Sequence, residues 1–253
     1  MLKLNTLSGF GSGAAATGFN TKAIDLIAGE FLACDGSGKT LGFSNAWTII
    51  VWAKPLNIAG TDGLVNPYGL AASLKNRIQL FFLYGEIQIK MWNTESALFK
   101  DYITTNTPVA ATTIIQVGIT WDGTNLAIYA DGAVIGSGDI TKTVDNASSQ
   151  VDDGDRGIRF SGEGNFGGLH STTAIWDVAL SAASLAATYD SGSGFNLDLR
   201  DSSGSYTETA NLQHLWPVGA DSGDIGQDLG VATAIDLMAG NVNVSAADVV
   251  DFV

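Results

Sequence analysis

The length, composition and charge of this chain exclude several classes of protein. Its 253 residues can bury a full core, and only 15% of them are Asp, Glu, Lys or Arg, against about 25% in typical soluble proteins. With 12 Lys and Arg and a formal net charge of −14, the chain lacks the basic residues that nucleic-acid binders use to displace counterions from phosphate. The same charge disfavours anionic membrane surfaces.

The kinds of polar residue present favour strands and turns over helices. Of the 26 acidic residues, 21 are Asp and 5 are Glu; Asp bonds its own backbone in turns, whereas Glu prefers helices. Glycine is frequent, at 31 residues, and Cys34 is the single cysteine. We therefore predict an all-β protein, and one that is not a small disulfide scaffold.

The N-terminal segment shows neither a strand pattern nor an export signal. Residues 1–18 are rich in Gly, Ala and Ser, which predicts a flexible or extended arm ahead of a single domain over 19–253. The segment lacks the unbroken apolar core of a signal peptide, and no apolar run reaches the roughly 18 residues that span a bilayer. We expect synthesis in the cytosol and no membrane insertion.

Alternating apolar residues predict strands and hairpins from residue 47 onward. The predicted strands cover 47–54, 78–84, 87–92, 115–121, 126–130, 133–136 and 169–176. A turn at Gly85-Glu86 joins the second and third of these. Asp131-Gly132 joins the fifth and sixth, and Asp-Gly between alternating strands is a strong hairpin signal.

The second half of the chain mixes a polar stretch with the one credible helix. Residues 139–168 are polar, acidic and Gly-rich, apart from a short apolar piece at 158–160. A helix is predicted over 181–189, because Ser181 can cap its first turn and Gly192 lies just beyond its end.

These segments, in this order, resemble the laminin-G-like/concanavalin-A-like superfamily of jelly rolls. Residues 46–55 are similar to that family's early core strand, 117–132 to its central hairpin, and 175–189 to its closing strand and short helix. Leu215-Trp216 resembles a late core strand. Many relatives place Trp-His before the central strand, where this chain has Thr112-Thr-Ile-Ile-Gln116. The resemblance implies a two-sheet antiparallel jelly-roll sandwich and a recognition module.

The predicted strands lack the carboxylate pattern that glycosidases of this superfamily use. Those enzymes need two carboxylates flanking the scissile bond, at alternating positions of one strand in the superfamily's glucanases. Here Glu86 falls in a predicted turn and Glu163 in a Gly-rich loop. His170 and His214 are predicted to pack or form hydrogen bonds rather than serve as the base of a Ser-His-Asp triad, because no Gly-x-Ser-x-Gly turn for the nucleophile accompanies them. We predict no catalytic residues and no enzyme, with a diverged glycoside hydrolase as an alternative.

Three carboxylates lie together in a short Gly-containing segment. Asp152, Asp153 and Asp155 precede Gly157, with Arg156 between them and that glycine. Calcium takes several oxygen ligands from loops, and members of the superfamily bind it. These residues are therefore candidate calcium ligands, and a solvated loop neutralised by Arg156 is the alternative.

Three aromatic residues near strand ends are candidates for sugar binding. Trp92, Tyr84 and Tyr102, near strand ends, are candidate platforms for sugar rings, although tryptophans in sandwiches mostly belong to the core.

Laminin-G-like domains resembling this one occur in bacteriophage virion proteins. We predict a non-enzymatic module on the virion surface, a capsid decoration or fibre protein, with other virion or surface proteins, host glycans and copies of itself as candidate partners. The alternative is a free, extracellular, calcium-dependent lectin.

Overall fold

A computed structural model describes most of the chain from residue 19 onward. The described residues are 19–27, 29–33, 41, 43, 45–68, 77–93, 97–146, 157–161, 166–220, 225–232, 234, 236–239 and 245–252. The predicted arm over 1–18 lies outside them. The single domain over 19–253 stays a prediction.

Within these residues the chain forms sixteen strands in two antiparallel sheets of eight, and one α-helix. The strands are β1 (Lys22–Leu26), β2 (Phe31–Ala33), β3 (Trp47–Pro55), β4 (Thr61–Tyr68), β5 (Arg77–Leu83), β6 (Glu86–Trp92), β7 (Leu98–Thr104), β8 (Ile115–Trp121), β9 (Leu126–Ala130), β10 (Ala133–Val134), β11 (Ile140–Asp145), β12 (Gly157–Ser161), β13 (Gly168–Trp176), β14 (Leu212–Pro217), β15 (Met238–Ala239) and β16 (Val249–Asp251). The predicted all-β sandwich with one short helix is confirmed.

Sheet A has the strand order β10-β9-β8-β3-β13-β1-β16, and β14 also pairs with β13. The strands β1 and β14 lie end to end along one side of β13, since β1 pairs with 168–170 and β14 with 172–176. The predicted hairpins of this sheet are present. At the turn between β9 and β10, Asp131 and Gly132 have φ of 50° and 74°, the left-handed pair that a two-residue hairpin turn requires.

Sheet B has the order β11-β7-β6-β5-β4-β12-β2-β15. Leu83 pairs with Glu86, so the turn between β5 and β6 is Tyr84-Gly85 and the predicted turn at Gly85-Glu86 is wrong by one residue. Both turn residues have positive φ, 52° and 84°, as a tight hairpin turn needs. Glu86 therefore begins a strand.

The edge strand β11 lies in the stretch 139–168, where the sequence predicts only a polar segment. It pairs with β7 through a bulge between Lys142 and Val144. Most of its side chains are exposed, so it lacks the apolar alternation by which a half-buried strand is recognised. A bulge and a lysine on an edge strand both discourage pairing with another chain.

Strand β3 is buried on both faces, as its continuous apolar sequence predicts. Trp47, Ile49 and Val51 point into the core between the two sheets. Ile50 and Trp52 point away from it, into a second apolar cluster on the outer face of sheet A. Sheet A is thus a middle layer between sheet B on one side and the second apolar cluster on the other.

Helix α1 (Ala182–Tyr189) begins where its capping residue predicts. The Ser181 hydroxyl accepts a hydrogen bond from the backbone N–H of Ser184 at 3.1 Å, which satisfies one of the free donors of the first turn. The helix ends at Asp190, whose left-handed backbone has φ of 46°. The predicted helix over 181–189 is confirmed.

The outer face of sheet A is covered by this helix and by the chain that follows it. A Cβ on Gly118 of β8 would lie 2.6 Å from Cδ1 of Leu185, so the glycine makes room for the helix. Trp52 stacks on Tyr189 at 5.7 Å and meets Phe195 edge-on at 5.5 Å. The only α-helix of the described residues packs on sheet A, so no helix of that part of the chain covers the outer face of sheet B.

Candidate functional site

The alternation of side chains defines the outer face of sheet B. Leu80 and Phe82 of β5, and Ile87, Ile89 and Met91 of β6, all belong to the core between the sheets. Because side chains alternate along a strand, the residues between them point to the outer face. That face is the candidate functional site.

Polar residues of neighbouring strands line up across this face. Gln79 of β5 pairs with Lys90 of β6, and Lys90 pairs with Asp101 of β7. Directly opposite residues of antiparallel strands share a face. The three side chains therefore stand in one line perpendicular to the strands.

The line extends to Arg159 on β12. Phe160 pairs with Val65, and Val65 pairs with Leu80, so these three core residues are level with one another. Arg159 lies one residue before Phe160, and Gln79 lies one residue before Leu80. Because neighbouring residues of a strand point to opposite faces, both Arg159 and Gln79 point to the outer face. We call Arg159, Gln79, Lys90 and Asp101 the polar row. It runs from β12 across β4 to β7, about 19 Å at the usual strand spacing.

Direct contacts hold the β6–β7 part of the row in place. The Gln88 amide Nε2 donates to Asp101 Oδ1 at 2.5 Å, and Lys90 Nζ lies 3.9 Å from Asp101 Oδ2. The same ammonium lies 5.3 Å from the centre of the Phe81 ring. Gln88 is only 7% exposed, and the side chains of Asp101 and Lys90 are 12% and 29% exposed. The polar groups are thus ordered before any ligand arrives.

Aromatic residues lie in the lines on either side of the polar row. Phe81 pairs with Gln88 on one side, and Trp92 lies at the end of β6 on the other. Phe31 lies under the Arg159 guanidinium, 5.4 Å from ring centre to Cζ. Phe81 and Trp92 are 7% and 9% exposed, so this face combines charged and amide groups with the edges of apolar rings.

The three aromatic residues singled out from the sequence have different positions. Trp92 lies on the outer face of sheet B, whereas Tyr84 lies in the hairpin turn, 65% exposed. Tyr102 is not a platform, because it points inward and donates to Asp145 Oδ1 at 2.5 Å; burial and that carboxylate raise the pKa of its phenol. Sequence reasoning missed Phe81, because the apolar run 78–84 does not show which residues face the core.

Glu86 and Asp101, the described carboxylates of β6 and β7 on the outer face, are too far apart to act as a glycosidase pair. Glu86 lies four residues before Lys90 on β6, and Lys90 is opposite Asp101. Four residues of strand span about 14 Å, beyond the roughly 5–9.5 Å between the carboxyls of glycosidases. These two described residues do not form such a pair.

Both histidines are buried in the core. His170 contacts Thr173 Oγ1 through Nε2 at 2.8 Å, and burial lowers the pKa of its imidazole to about 3. His214 Nδ1 lies 2.6 Å from Asp228 Oδ2, and neither side chain is exposed. Neither imidazole can reach a ligand on the protein surface.

The candidate calcium ligands Asp152, Asp153 and Asp155 lie outside the described residues. Among the residues that the structure describes, no three His, Cys, Asp or Glu side chains are grouped closely enough to hold a metal ion. No helix in the described ranges has the length and apolar character needed to cross a membrane.

Three solved structures illustrate the likeness of the fold. A native heptameric SAP-like pentraxin from Limulus polyphemus has a TM-score of 0.56 at 14% identity, over 93% of this chain and 96% of that one. A putative carbohydrate binding protein from Bacteroides ovatus has a TM-score of 0.57 at 13% identity, over 92% and 60%. The CBM40 of the Ruminococcus gnavus IT-sialidase, bound to alpha2,3 sialyllactose, has 0.51 at 14% identity, over 66% and 97%.

The sequence itself matches a family profile and no curated protein. The profile is that of the Concanavalin A-like lectin/glucanases superfamily, and it matches residues 33–186, which include most strands of both sheets and the start of α1. Together with the two-sheet antiparallel fold, this match shows that the chain belongs to the concanavalin A-like lectin/glucanase superfamily.

Proposed function

We propose that this protein is a non-catalytic glycan-binding module whose ligand lies on the outer face of sheet B. The polar row and its flanking aromatic residues carry the proposal. A sugar ring presents hydroxyl groups at its rim and apolar C–H groups on its faces. Carboxylate and amide side chains bond hydroxyls, and aromatic rings supply apolar contact area at a small entropic cost.

Preorganisation supports the same function. A site whose buried polar groups are built to bond hydroxyls loses much of its affinity when those hydroxyls are absent. Gln88 and Asp101 are held by each other and by Lys90, so little rotamer entropy remains to be lost on binding.

The structural relatives support the proposal through their own ligands. One is described as a putative carbohydrate binding protein, and another was solved with alpha2,3 sialyllactose bound. At 13% and 14% identity these likenesses concern the fold. For the present chain they recommend glycans as the first ligands to test.

A glycan array probed with the purified protein in multivalent form tests the function. We expect specific hits that are lost in Trp92→Ala, because Trp92 lies on the outer face of sheet B. Tyr84→Ala is the control for an aromatic side chain outside that face, at 65% exposure, and a thermal melt checks that Trp92→Ala, at a position 9% exposed, still folds. Hits lost in Tyr84→Ala and kept in Trp92→Ala would place the site at the hairpin turn. An array without hits would refute glycan binding.

The absence of catalysis has a separate test. Because Glu86 and Asp101 are about 14 Å apart along the strands, we expect no reducing sugar to be released from a panel of polysaccharides. Release of reducing sugar would show a glycoside hydrolase with carboxylates placed elsewhere.

The calcium ligands and the biological setting remain proposals from the sequence. A thermal melt indifferent to calcium and chelator would remove Asp152, Asp153 and Asp155 as a calcium site. Absence of the protein from purified particles, by mass spectrometry, would remove the virion hypothesis and favour the free lectin. Light scattering on the purified protein tests the proposed homo-oligomer.

A further inference from the structure

We infer that the glycan bound by the outer face of sheet B is uncharged, and that Asp101 selects it by accepting hydrogen bonds from sugar hydroxyls. This inference rests on the proposed function, which it deepens by naming the ligand class.

The basic groups of the polar row are already engaged. Lys90 lies between the Asp101 carboxylate, at 3.9 Å, and the Phe81 ring, at 5.3 Å. The Arg159 guanidinium covers the Phe31 ring at 5.4 Å. A sugar carboxylate or sulfate is best held by a cation that offers it parallel N–H donors. The charge of Lys90 is partly offset by the Asp101 carboxylate, which weakens the attraction of Lys90 for an added anion.

The acidic group of the row has capacity left for hydroxyls. Asp101 Oδ1 accepts from the Gln88 amide at 2.5 Å, while the 3.9 Å separation between Oδ2 and Lys90 Nζ is longer than a hydrogen bond. An ionised carboxylate has about four acceptor positions. Hydroxyl groups of a neutral sugar can use those that remain, whereas an anionic group placed there would meet repulsion from the carboxylate.

The net negative charge of the whole chain also disfavours acidic glycans. The formal net charge is −14, and a protein's summed field steers ligands of opposite sign towards it and slows those of the same sign. Salt screens this field beyond about 10 Å at ~0.1 M. The Lys90–Asp101 pair and the field of the whole chain both act against acidic glycans.

The experiment compares neutral glycans with their sialylated or sulfated counterparts on the same array, with wild-type protein. We expect binding to the neutral member of each pair, and a Kd that changes less than about twofold between ~0.05 and ~0.5 M salt. Binding confined to sialylated or sulfated glycans would overturn the inference and leave the proposed function intact. No binding to any glycan would refute the proposed function itself.

Two variants test the role of Asp101. Asp101→Asn should weaken binding of the neutral glycan at least about tenfold, because one of the two acceptor oxygens becomes an NH2 donor and the negative charge is lost. Asp251→Asn is the matched control: it also removes an ion-paired carboxylate, that of the Lys22–Asp251 pair in sheet A, and should leave Kd unchanged. Equal affinity of Asp101→Asn and wild type would remove Asp101 from the site. The wild-type comparison decides the ligand class even if Asp101→Asn does not fold.

Discussion

Asp62 is a buried carboxyl group with no hydrogen-bond partner among the residues that the structure describes. It lies on the core side of β4, opposite Phe82 of β5, and is 1% exposed. Neither carboxyl oxygen accepts a hydrogen bond from a described residue, and burial raises the pKa of the group above its ordinary value of 3.8. Since desolvation disfavours the charged form, Asp62 should destabilise the native state at neutral pH.

Because the pKa of Asp62 is raised in the native state, Asp62→Asn should increase the free energy of unfolding. The native state binds the Asp62 proton more tightly than the unfolded chain does. The free energy of unfolding therefore falls as pH rises from 3.8 to the raised native pKa, and the loss is complete above it. Asparagine removes the charge but leaves a buried amide, so we expect a gain of about 1 kcal/mol at neutral pH. For a chain of this size that is about 2–4 °C in Tm.

Thermal melts between about pH 3 and about pH 8 measure the effect. The gain should be present at neutral pH and vanish below pH 3.8, where Asp62 is protonated in both states. Asp122→Asn is a control of opposite sign, because Asp122 accepts backbone bonds from Thr124 and Asn125 that lower the pKa of its carboxyl; it should lose stability at neutral pH. A lower Tm for Asp62→Asn at neutral pH, or a gain of equal size at both ends of the range, would refute the reasoning.

Three further substitutions test the layers of the fold. Leu185→Ala should lower the free energy of unfolding by about 2–5 kcal/mol in a denaturant titration, because it leaves a cavity between α1 and sheet A; a loss below about 1 kcal/mol would mean that the helix is not a firm cover. Tyr206→Phe should cost about 1–3 kcal/mol in the same assay, since the hydroxyl donates to the Leu199 carbonyl at 2.6 Å and accepts from Trp176 Nε1 at 3.1 Å; unchanged stability would contradict this. His170 is neutral in the native state, so stability should decline as pH falls from 6.5 to about 3; His170→Phe should reduce that decline, and an unaltered pH profile would show that His170 does not cause it.

Much of the fold could be predicted because its signals are local. Alternation identified seven of the sixteen strands, Asp131-Gly132 identified a hairpin turn, and Ser181 identified the start of the helix. Each signal depends on the backbone preferences of a few adjacent residues. Local signals failed at β11, whose exposed side chains give no alternation, and at the turn of Tyr84, a residue that adopts a left-handed backbone without being glycine.

The candidate site depends on contacts that no local pattern encodes. Asp101 and Arg159 belong to one row only because β7 and β12 lie in the same sheet at matching register. Period-two alternation shows which residues of one strand share a face, yet it does not tell which strands are neighbours or which face is covered. The sequence by itself therefore determined seven of the sixteen strands, the helix and the resemblance to the family. Strand order, register and the position of α1 on sheet A come from packing between distant segments, and only they placed the residues of the proposed site together.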